Sequence, residues 1–562
     1  MSRAKSGLSW RSLGLSAASG LLIFASYPPA DLWPLAYVAF TPLLMALWGT
    51  PSWPCALILG LISGLLGYGP ALAWVGSVTV PGWLGLSTYL SLYLAAGGVV
   101  FRFFQRRFPS FWPLPVALAW VALEFLRARL GPGFVWLFMG YTQHDLLPLV
   151  QLSTITGVYG LTFLTTLLSA GLAMAGLEAR RAGPEAEIFR GLRAIPAIIS
   201  LALAVGCYLV GLTMLRSVET TDGPTVGVVQ QNIPRHVSDL DRTLEEFTQA
   251  SLDEINKIAE LSRDFEGKSI HLLVWSETVV TAPLNVSPAI IQSPELRRII
   301  NTALKHIREL GQRMGCHLLV GARTWFPRSE GYVERTTKSQ PDAIGNSGLL
   351  YSPEGQFLER YDKIQLVPFG EYIPLIQYLP FLQAFTPFHR GLTPGDEMVI
   401  FELPGDDSAP PTKFCVLVCY EDVFPSLVRG FRQRGADFMV NITEEGWYHV
   451  PGELRQHLAM AKFRAVENRA TVVRCANTGI SCFIGPSGKI YRCVEKEANG
   501  KTKRAWITGT TSAPVRLCEE TTFYTRHGDV FAGGCSLLAV AFMGIAIYHV
   551  KTDPAEESEE AA

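Results

Sequence analysis

Three residues in this chain combine a reactive side chain with a position at or just past the end of a strand-like run. Glu277 follows Leu272-Leu-Val-Trp275, Lys363 follows Phe357-Leu-Glu-Arg-Tyr361, and Cys419 follows Phe414-Cys-Val-Leu-Val418. Strand ends in α/β folds open into the crevice where ligands bind. A free thiol has a pKa near ~8.5, so only a few per cent is thiolate at neutral pH. A cysteine nucleophile therefore needs a base or a cation beside it. Glu277 can take the thiol proton as a general base. Lys363 can favour the thiolate and, with a backbone N–H next to Cys419, can stabilise an oxyanion. Taken singly, the cysteine reads more often as core filling and the Glu or Lys as a solvated turn residue; only the combination points to chemistry.

Other chemistries find no support in the spacing. Cys415 and Cys419 lie four residues apart on one strand, about 13 Å, beyond the ~7 Å Cα separation a disulfide tolerates. Cys475 and Cys482 read as isolated, and His449 and His457 lack ligand spacing, so no zinc site is expected. There is no phosphate-binding G-x-x-x-x-G-K-[ST] loop, dinucleotide fingerprint or G-x-S-x-G elbow, and no cofactor is implied.

The elements that must position these residues are strands alternating with helices. Strands are expected at Thr225–Gln230, His271–Trp275, His317–Ala322, Gly348–Tyr351, Phe357–Tyr361, Lys413–Val418, Phe438–Asn441 and Thr471–Cys475. Leu244, Phe247, Leu252, Ile255 and Ala259 define one helix face, and Leu454, Leu458, Ala461 and Ala465 another. The turns Ser352-Pro-Glu-Gly355 and Pro486-Ser-Gly488 predict hairpins. This is an α/β class with mixed strand pairing and sheets covered by helices.

The rest of the chain is of another kind. Of 562 residues, 49% are hydrophobic and 17% charged, against roughly 25% charged in ordinary soluble proteins. Only 18 of the first 215 residues are charged, compared with 79 of the remaining 347. A net charge of −1 excludes a global basic field for nucleic acid. Ten cysteines are too few for a disulfide scaffold. Apolar windows run over 12–27, 32–48, 55–75, 83–101, 111–125, 157–177, 194–215 and 530–550. The first could instead be a secretory signal, since Arg3, Lys5 and Arg11 precede a short apolar core.

With a cytoplasmic N-terminus and alternating spans, Arg3, Lys5, Arg11, Arg102, Arg106, Arg107, Arg180, Arg181, Arg190 and Arg193 fall inside, and only Arg127 and Arg129 outside. The expected organisation is a seven-span transmembrane domain (1–215), an extracytoplasmic catalytic domain (216–527), an eighth span (528–550) and an acidic cytoplasmic tail (551–562). Glu124 and Arg127 stand three apart on a helix and can pair. The segment 367–392 is dense in large apolar residues, among them Phe369, Leu375, Tyr378, Phe381 and Phe388. It is expected to dip into the outer leaflet as a lid over an acyl chain, or else to pack on the soluble domain.

Trp275-Ser-Glu277, Tyr361-Asp-Lys363 through Gly370-Glu371-Tyr-Ile-Pro374, and Cys419-Tyr-Glu421 together resemble the nitrilase (carbon–nitrogen hydrolase) superfamily. With the flanking apolar spans, the chain is similar to one branch of it, the bacterial apolipoprotein N-acyltransferases. Phe134-Val-Trp136, Gly157-Val-Tyr-Gly160, Gly446-Trp-Tyr448, Arg464-Ala-Val-Glu467-Asn-Arg469 and Tyr524-Thr-Arg-His-Gly-Asp529 extend the likeness along nearly the whole sequence. Glu444-Glu445 stand where the family usually has Asn-Asp.

The resemblance implies a polytopic α-helical membrane domain plus an α/β nitrilase-like αββα sandwich, with a Glu277–Lys363–Cys419 triad. Glu371 is expected to orient Lys363, and Tyr420, Glu421 and Trp447 to shape the pocket. The implied reaction moves an acyl chain from a phospholipid, through a cysteine thioester, to the α-amine of the diacylglyceryl-cysteine of an apolipoprotein. The implied location is the bacterial inner membrane, with catalysis on the periplasmic side. The alternative is a membrane-tethered amidase or nitrilase in which water resolves the thioester of a small soluble substrate.

Overall fold

The computed structural model describes residues 8–181, 195–236, 239, 241–326, 343–386, 391–405, 410–448, 451–498 and 500–552. Arg3, Lys5, Arg190, Arg193, Phe388, His449 and the acidic residues Glu556, Glu557, Glu559 and Glu560 lie outside the described residues. The chain divides into two compact units: 1–76, 80–216 and 527–562 form the first, and 77–79 with 217–526 form the second.

The first unit is helical. Among the described residues, five helices are long and apolar enough to cross a membrane: Trp53–Ala71, Val80–Arg107, Tyr159–Arg180, Ile195–Arg216 and Val530–Tyr548. The other three apolar windows form shorter helices, Trp10–Ser26, Thr41–Trp48 and Pro113–Arg127. Small residues let backbones approach closely: a Cβ on Gly60 would stand 2.4 Å from the Leu94 carbonyl oxygen, and one on Gly98 2.7 Å from that of Ala56. Ser16 of Trp10–Ser26 and Ser63 of Trp53–Ala71 share a hydrogen bond of 3.0 Å.

Glu124 and Arg127 are both buried, and their hydrogen bonds run to the segment after their helix and to the helix Tyr159–Arg181. Glu124 accepts from the Met139 N–H (2.8 Å) and the Thr162 hydroxyl (2.7 Å). Arg127 donates to the carbonyls of Trp136 (3.0 Å) and Leu137 (3.1 Å). One backbone N–H and one hydroxyl thus hold the Glu124 carboxyl, and two backbone carbonyls hold the Arg127 guanidinium.

The second unit is built on two six-stranded sheets. Its strands are β1 Thr221–Gln230, β2 Leu272–Val274, β3 His317–Phe326, β4 Ala343–Tyr351, β5 Phe357–Asp362, β6 Phe401–Leu403, β7 Thr412–Val418, β8 Phe438–Thr443, β9 Thr471–Ala476, β10 Cys482–Ile484, β11 Ile490–Cys493, β12 Lys496–Ala498, β13 Lys501–Lys503 and β14 Gly509–Leu517. One sheet has the order β14-β1-β2-β3-β4-β5 and the other β11-β10-β9-β8-β7-β6; β12 and β13 pair separately. Each sheet has a parallel centre, β1-β2-β3 and β7-β8-β9, and antiparallel margins.

Period-two burial explains how the layers assemble. Val229, Leu273, Trp275, Leu318, Val320 and Leu349 meet Ile255, Ile258, Ile299, Ala303 and Ile307 of the helices Leu244–Ser262 and Pro294–Met314. The alternate residues face the other sheet: a Cβ on Gly348 of β4 would lie 2.9 Å from Val416 of β7. Helices Pro425–Gln433 and Pro451–Asn468 accompany the second sheet, giving the α-β-β-α sandwich. Thr243 begins the first helix with a capping box to Glu246, and Gly315 ends the second in the left-handed conformation.

Candidate active site

Strands of both sheets deliver their C-terminal ends to one place. Glu277 follows β2, Lys363 follows β5, and Cys419 opens a short turn of 3₁₀ helix, Cys419–Val423, directly after β7. The Cys419 backbone has φ +52°, and Thr278, next to Glu277, has φ +50°. Left-handed backbone at residues other than glycine costs on the order of 1–2 kcal/mol, so the Cys419 and Glu277 segments both hold strained turns.

The charged groups sit in contact. The Lys363 ammonium donates to Glu371 Oε1 at 2.9 Å and stands 3.7 Å from Glu277 Oε1. Lys363 is 1% exposed, so its charge depends on those carboxylates. Asn346 of β4 donates through one nitrogen to Glu277 Oε1 (2.6 Å) and Glu371 Oε1 (3.2 Å). Glu277 Oε2 accepts the Glu444 N–H at 2.7 Å, and Glu371 Oε2 accepts the Val367 N–H at 2.9 Å. Both carboxylates are thus aimed by groups that cannot take a proton from them.

Burial alone would discharge Lys363, but Glu371 and then Glu277 reverse this and hold the ammonium above its ordinary range. Burial likewise opposes Glu371 ionisation, and Lys363 overcomes it, keeping that carboxyl below its usual value. For Cys419, burial and the Glu277 carboxylate push the thiol well up, against the opposing pull of Lys363. The resting site is therefore a protonated thiol beside an ammonium and carboxylates. It needs proton transfer, rather than a preformed thiolate, to become nucleophilic.

Glu421 occupies the interior of this arrangement. It is fully buried, and its Oε1 accepts from the Tyr361 hydroxyl (2.7 Å), the Ile364 N–H (2.7 Å) and the Gln365 N–H (3.0 Å). Its Oε2 accepts the Val418 N–H at 2.7 Å. One carboxylate thereby ties the segment after Lys363 to the residue before Cys419. Burial raises its pKa to about 7 despite these donors.

Tyr420 is buried edge-on against Phe424, ring centroids 4.9 Å apart. Trp447 is half-buried in the turn after β8; its neighbour Tyr448 lies close enough to Cys419, Glu371 and Tyr420 to feel their charge.

Sequence reasoning gave no site role to Asn346 or Asn441. Asn441 donates to the Cys419 carbonyl at 3.0 Å. The signal was available: each is a polar residue in an otherwise apolar strand, and buried polar side chains need partners.

A second buried cluster lies behind the nucleophile turn. His457 Nδ1 bonds Glu445 Oε1 at 2.7 Å and Nε2 bonds Asp422 Oδ1 at 2.6 Å. Arg474 donates to Asp422 (2.6 Å) and Glu445 (2.7 Å). Glu445, Glu453 and His457 bring ligand-type atoms within 4.8 Å of one another. Both imidazole nitrogens already serve carboxylates, however, which suits an imidazolium and not a metal ligand. Burial opposes that charge, but Asp422 and the hydrogen bonds raise the His457 pKa to about 9.

A thiol, an ammonium and two carboxylates at strand ends of an α-β-β-α sandwich define a carbon–nitrogen hydrolase unit, and residues 225–506 match that family. Residues 19–171 match the apolipoprotein N-acyltransferase N-terminal domain. An apolipoprotein N-acyltransferase of Geobacter metallireducens is 32% identical, the match covering 95% of this chain and 96% of that one. One of Chlorobaculum tepidum is 28% identical over 93% and 94%. A solved amidase from Nesterenkonia sp. is 18% identical over 55% of this chain and 95% of its own, with TM-score 0.35. The chain belongs to the apolipoprotein N-acyltransferase family; it is a membrane protein and an acyltransferase.

Proposed function

We propose that Cys419 is the nucleophile, Glu277 the general base and Lys363 the electrostatic stabiliser of a two-step transfer. Cys419 Sγ attacks the ester carbonyl of a membrane phospholipid while Glu277 takes the thiol proton. The Lys363 ammonium faces the negative charge that develops on the carbonyl oxygen. Collapse releases a lysophospholipid, whose alkoxide takes the proton back from Glu277, and leaves an acyl thioester on Cys419. The α-amine of an N-terminal diacylglyceryl-cysteine then attacks the thioester. Glu277 takes the amine proton and returns it to the departing sulfur, and the product is an N-acylated lipoprotein. Glu371 and Asn346 keep Lys363 and Glu277 in place, while Tyr420, Glu421 and Trp447 frame the pocket.

The observation that carries this reading is the position of Lys363 Nζ, 2.9 Å from one buried carboxylate and 3.7 Å from another, with the Cys419 thiol inside their combined field. The lipid donor is supported by the run after Glu371. Leu375, Ile376, Tyr378, Leu379 and Phe381 are 60%, 38%, 72%, 38% and 63% exposed, a patch that water disfavours and a leaflet accepts. In this reading, 1–215 cross the membrane seven times, 216–527 lie outside the cytoplasm, 528–550 return, and 551–562 end in the cytoplasm. A bacterial inner membrane with periplasmic catalysis fits the distribution of arginines.

Intact-mass measurement after mixing the detergent-solubilised protein with a phospholipid of one acyl length tests it. The expected result is a gain of one acyl group on Cys419 that persists in water, clears on adding a diacylated lipopeptide, and is absent in Cys419→Ala. An adduct that water clears as fast as the lipopeptide does would instead indicate a hydrolase.

A further inference from the structure

Cys482 and Cys493, which sequence spacing leaves unconnected, are direct partners across the hairpin at the edge of the second sheet. β10 and β11 run antiparallel with Cys482 opposite Cys493. The Val494 N–H donates to the Ser481 carbonyl at 3.0 Å, so the adjacent pair, 481 with 494, is the hydrogen-bonded one. The two cysteines therefore occupy a non-hydrogen-bonded site, where facing side chains come closest and Cα atoms lie about 4.5 Å apart. That spacing falls within the ~4.4–6.8 Å that a disulfide spans. Cys482 is buried and Cys493 half-buried, so one sulfur is open to a reagent and the other lies opposite it.

We propose that Cys482 and Cys493 form a disulfide that clamps the β10–β11 hairpin when the catalytic unit is exposed to an oxidising compartment. The compartment rests on the orientation proposed above; the pairing does not. The oxidant is a disulfide, either of a small thiol or of a thiol oxidase. The Cys493 thiolate attacks one of its sulfurs and expels the other as a thiol. Arg504 and Lys462 nearby favour that thiolate, against Glu495. Cys482 then loses its proton and attacks Cys493 Sγ of the mixed disulfide, expelling the second thiol. Two electrons and two protons pass from the pair to the oxidant, which ends as two thiols.

The clamp lies close to the candidate site. Ser481 precedes Cys482 and bonds the Ala476 N–H at 3.0 Å, closing the loop that carries Asn477. Asn477 donates to the Glu444 carboxylate at 2.9 and 2.8 Å, and Glu444 is the residue whose N–H holds Glu277. Neither cysteine belongs to the catalytic set, so the reduced protein should turn over.

The test uses the full-length protein in detergent, in a Cys419→Ala background so that the nucleophile does not consume reagent. The protein is incubated with oxidised glutathione, free thiols are blocked, and peptides are mapped by mass spectrometry with and without reductant. The expected result is a peptide joining the segments around Cys482 and Cys493, accounting for most of both residues. It should disappear on reduction and in Cys482→Ser or Cys493→Ser. The oxidised protein should also melt several degrees higher, a shift that the Cys482→Ala/Cys493→Ala double variant lacks. Full alkylation of both cysteines after oxidation, or glutathione stably attached to Cys493, overturns the pairing. A pair that links in vitro but is found reduced when the protein is isolated from cells with thiols trapped at lysis sustains the pairing and overturns the compartment.

Discussion

Asn346 donates to Glu277 Oε1 over 2.6 Å, the shortest of the contacts that aim the candidate base. The same nitrogen reaches Glu371, so one amide from β4 sets the spacing of the two carboxylates that flank Lys363. Replacing it with Asp turns a donor into a third negative charge. Asn346→Asp should lower the rate of Cys419 acylation by about 100-fold or more, since misplacing a general base forfeits much of a ~10²–10⁴-fold contribution. Asn346→Ser should lose less. Single-turnover mass spectrometry with a phospholipid donor measures both.

Lys363 should be needed for folding as well as for rate. Lys363→Met leaves Glu371 and Glu277 buried beside an apolar side chain, and removing one partner of a buried ion pair typically costs roughly 3–5 kcal/mol. The melting temperature should fall markedly while thioester formation disappears. Cys419→Ala should abolish thioester formation with melting nearly unchanged. Equal melting of the two variants would contradict the role given to the ammonium.

His457 sets a pH dependence. The groups facing it are Asp422 of the nucleophile turn, Glu445 after β8, Glu453 on its own helix and Arg474 of β9. Its folded pKa, about 9, lies above the ordinary 6.5, so the stabilisation is complete below pH 6.5 and is lost as pH rises through about 9. The shift corresponds to on the order of 3 kcal/mol. Denaturant unfolding should show stability declining from pH 6.5 to 9.5. The decline should be flatter in His457→Gln, which should also be less stable at pH 6.5.

The exposed run after Glu371 should matter for lipid and not for chemistry. Changing Leu375, Tyr378 and Phe381 together to Ser removes three large side chains, each worth ~1.5–3 kcal/mol if fully buried in an apolar phase. Turnover of phospholipid in vesicles should drop at least about tenfold. Acylation by a short soluble thioester should stay within about twofold. Equal loss in both assays would sink the lid interpretation.

Much of this site was legible because it lies at strand ends. Leu272-Leu-Val, Phe357 to Tyr361 and Phe414 to Val418 announce themselves by β-branched and aromatic content, and the residue that follows each is then placed by the fold class. What stayed hidden depends on long-range register. Asn346 is one polar residue inside β4, and only the pairing of β4 with β3 and β5 brings it to Glu277. Glu421 looked like a flank of the nucleophile, whereas its four hydrogen bonds come from Tyr361, Ile364, Gln365 and Val418. β14 contains Pro514 and a run of Thr and Ser, which reads as loop; it forms because β1 offers it an open edge. Cys482 looked solitary for the same reason: its partner is fixed by how the hairpin at Pro486 closes. In the membrane part, three windows read as spans form helices of 17, 8 and 15 residues, because Pro at the start of two of them and cap residues cut the apolar runs short.

The left-handed backbone at Cys419 has a practical corollary. Its sulfur contributes little to the scaffold, since Glu421 and Asn441 grip the turn through main-chain groups, and alanine can keep the same dihedral at a similar penalty where glycine would let it relax. A Cys419→Ala protein should therefore be a faithful mould of the uncleaved lipid complex, able to hold a donor molecule intact for as long as diffraction or cryogenic imaging requires, and Cys419→Gly a poorer one.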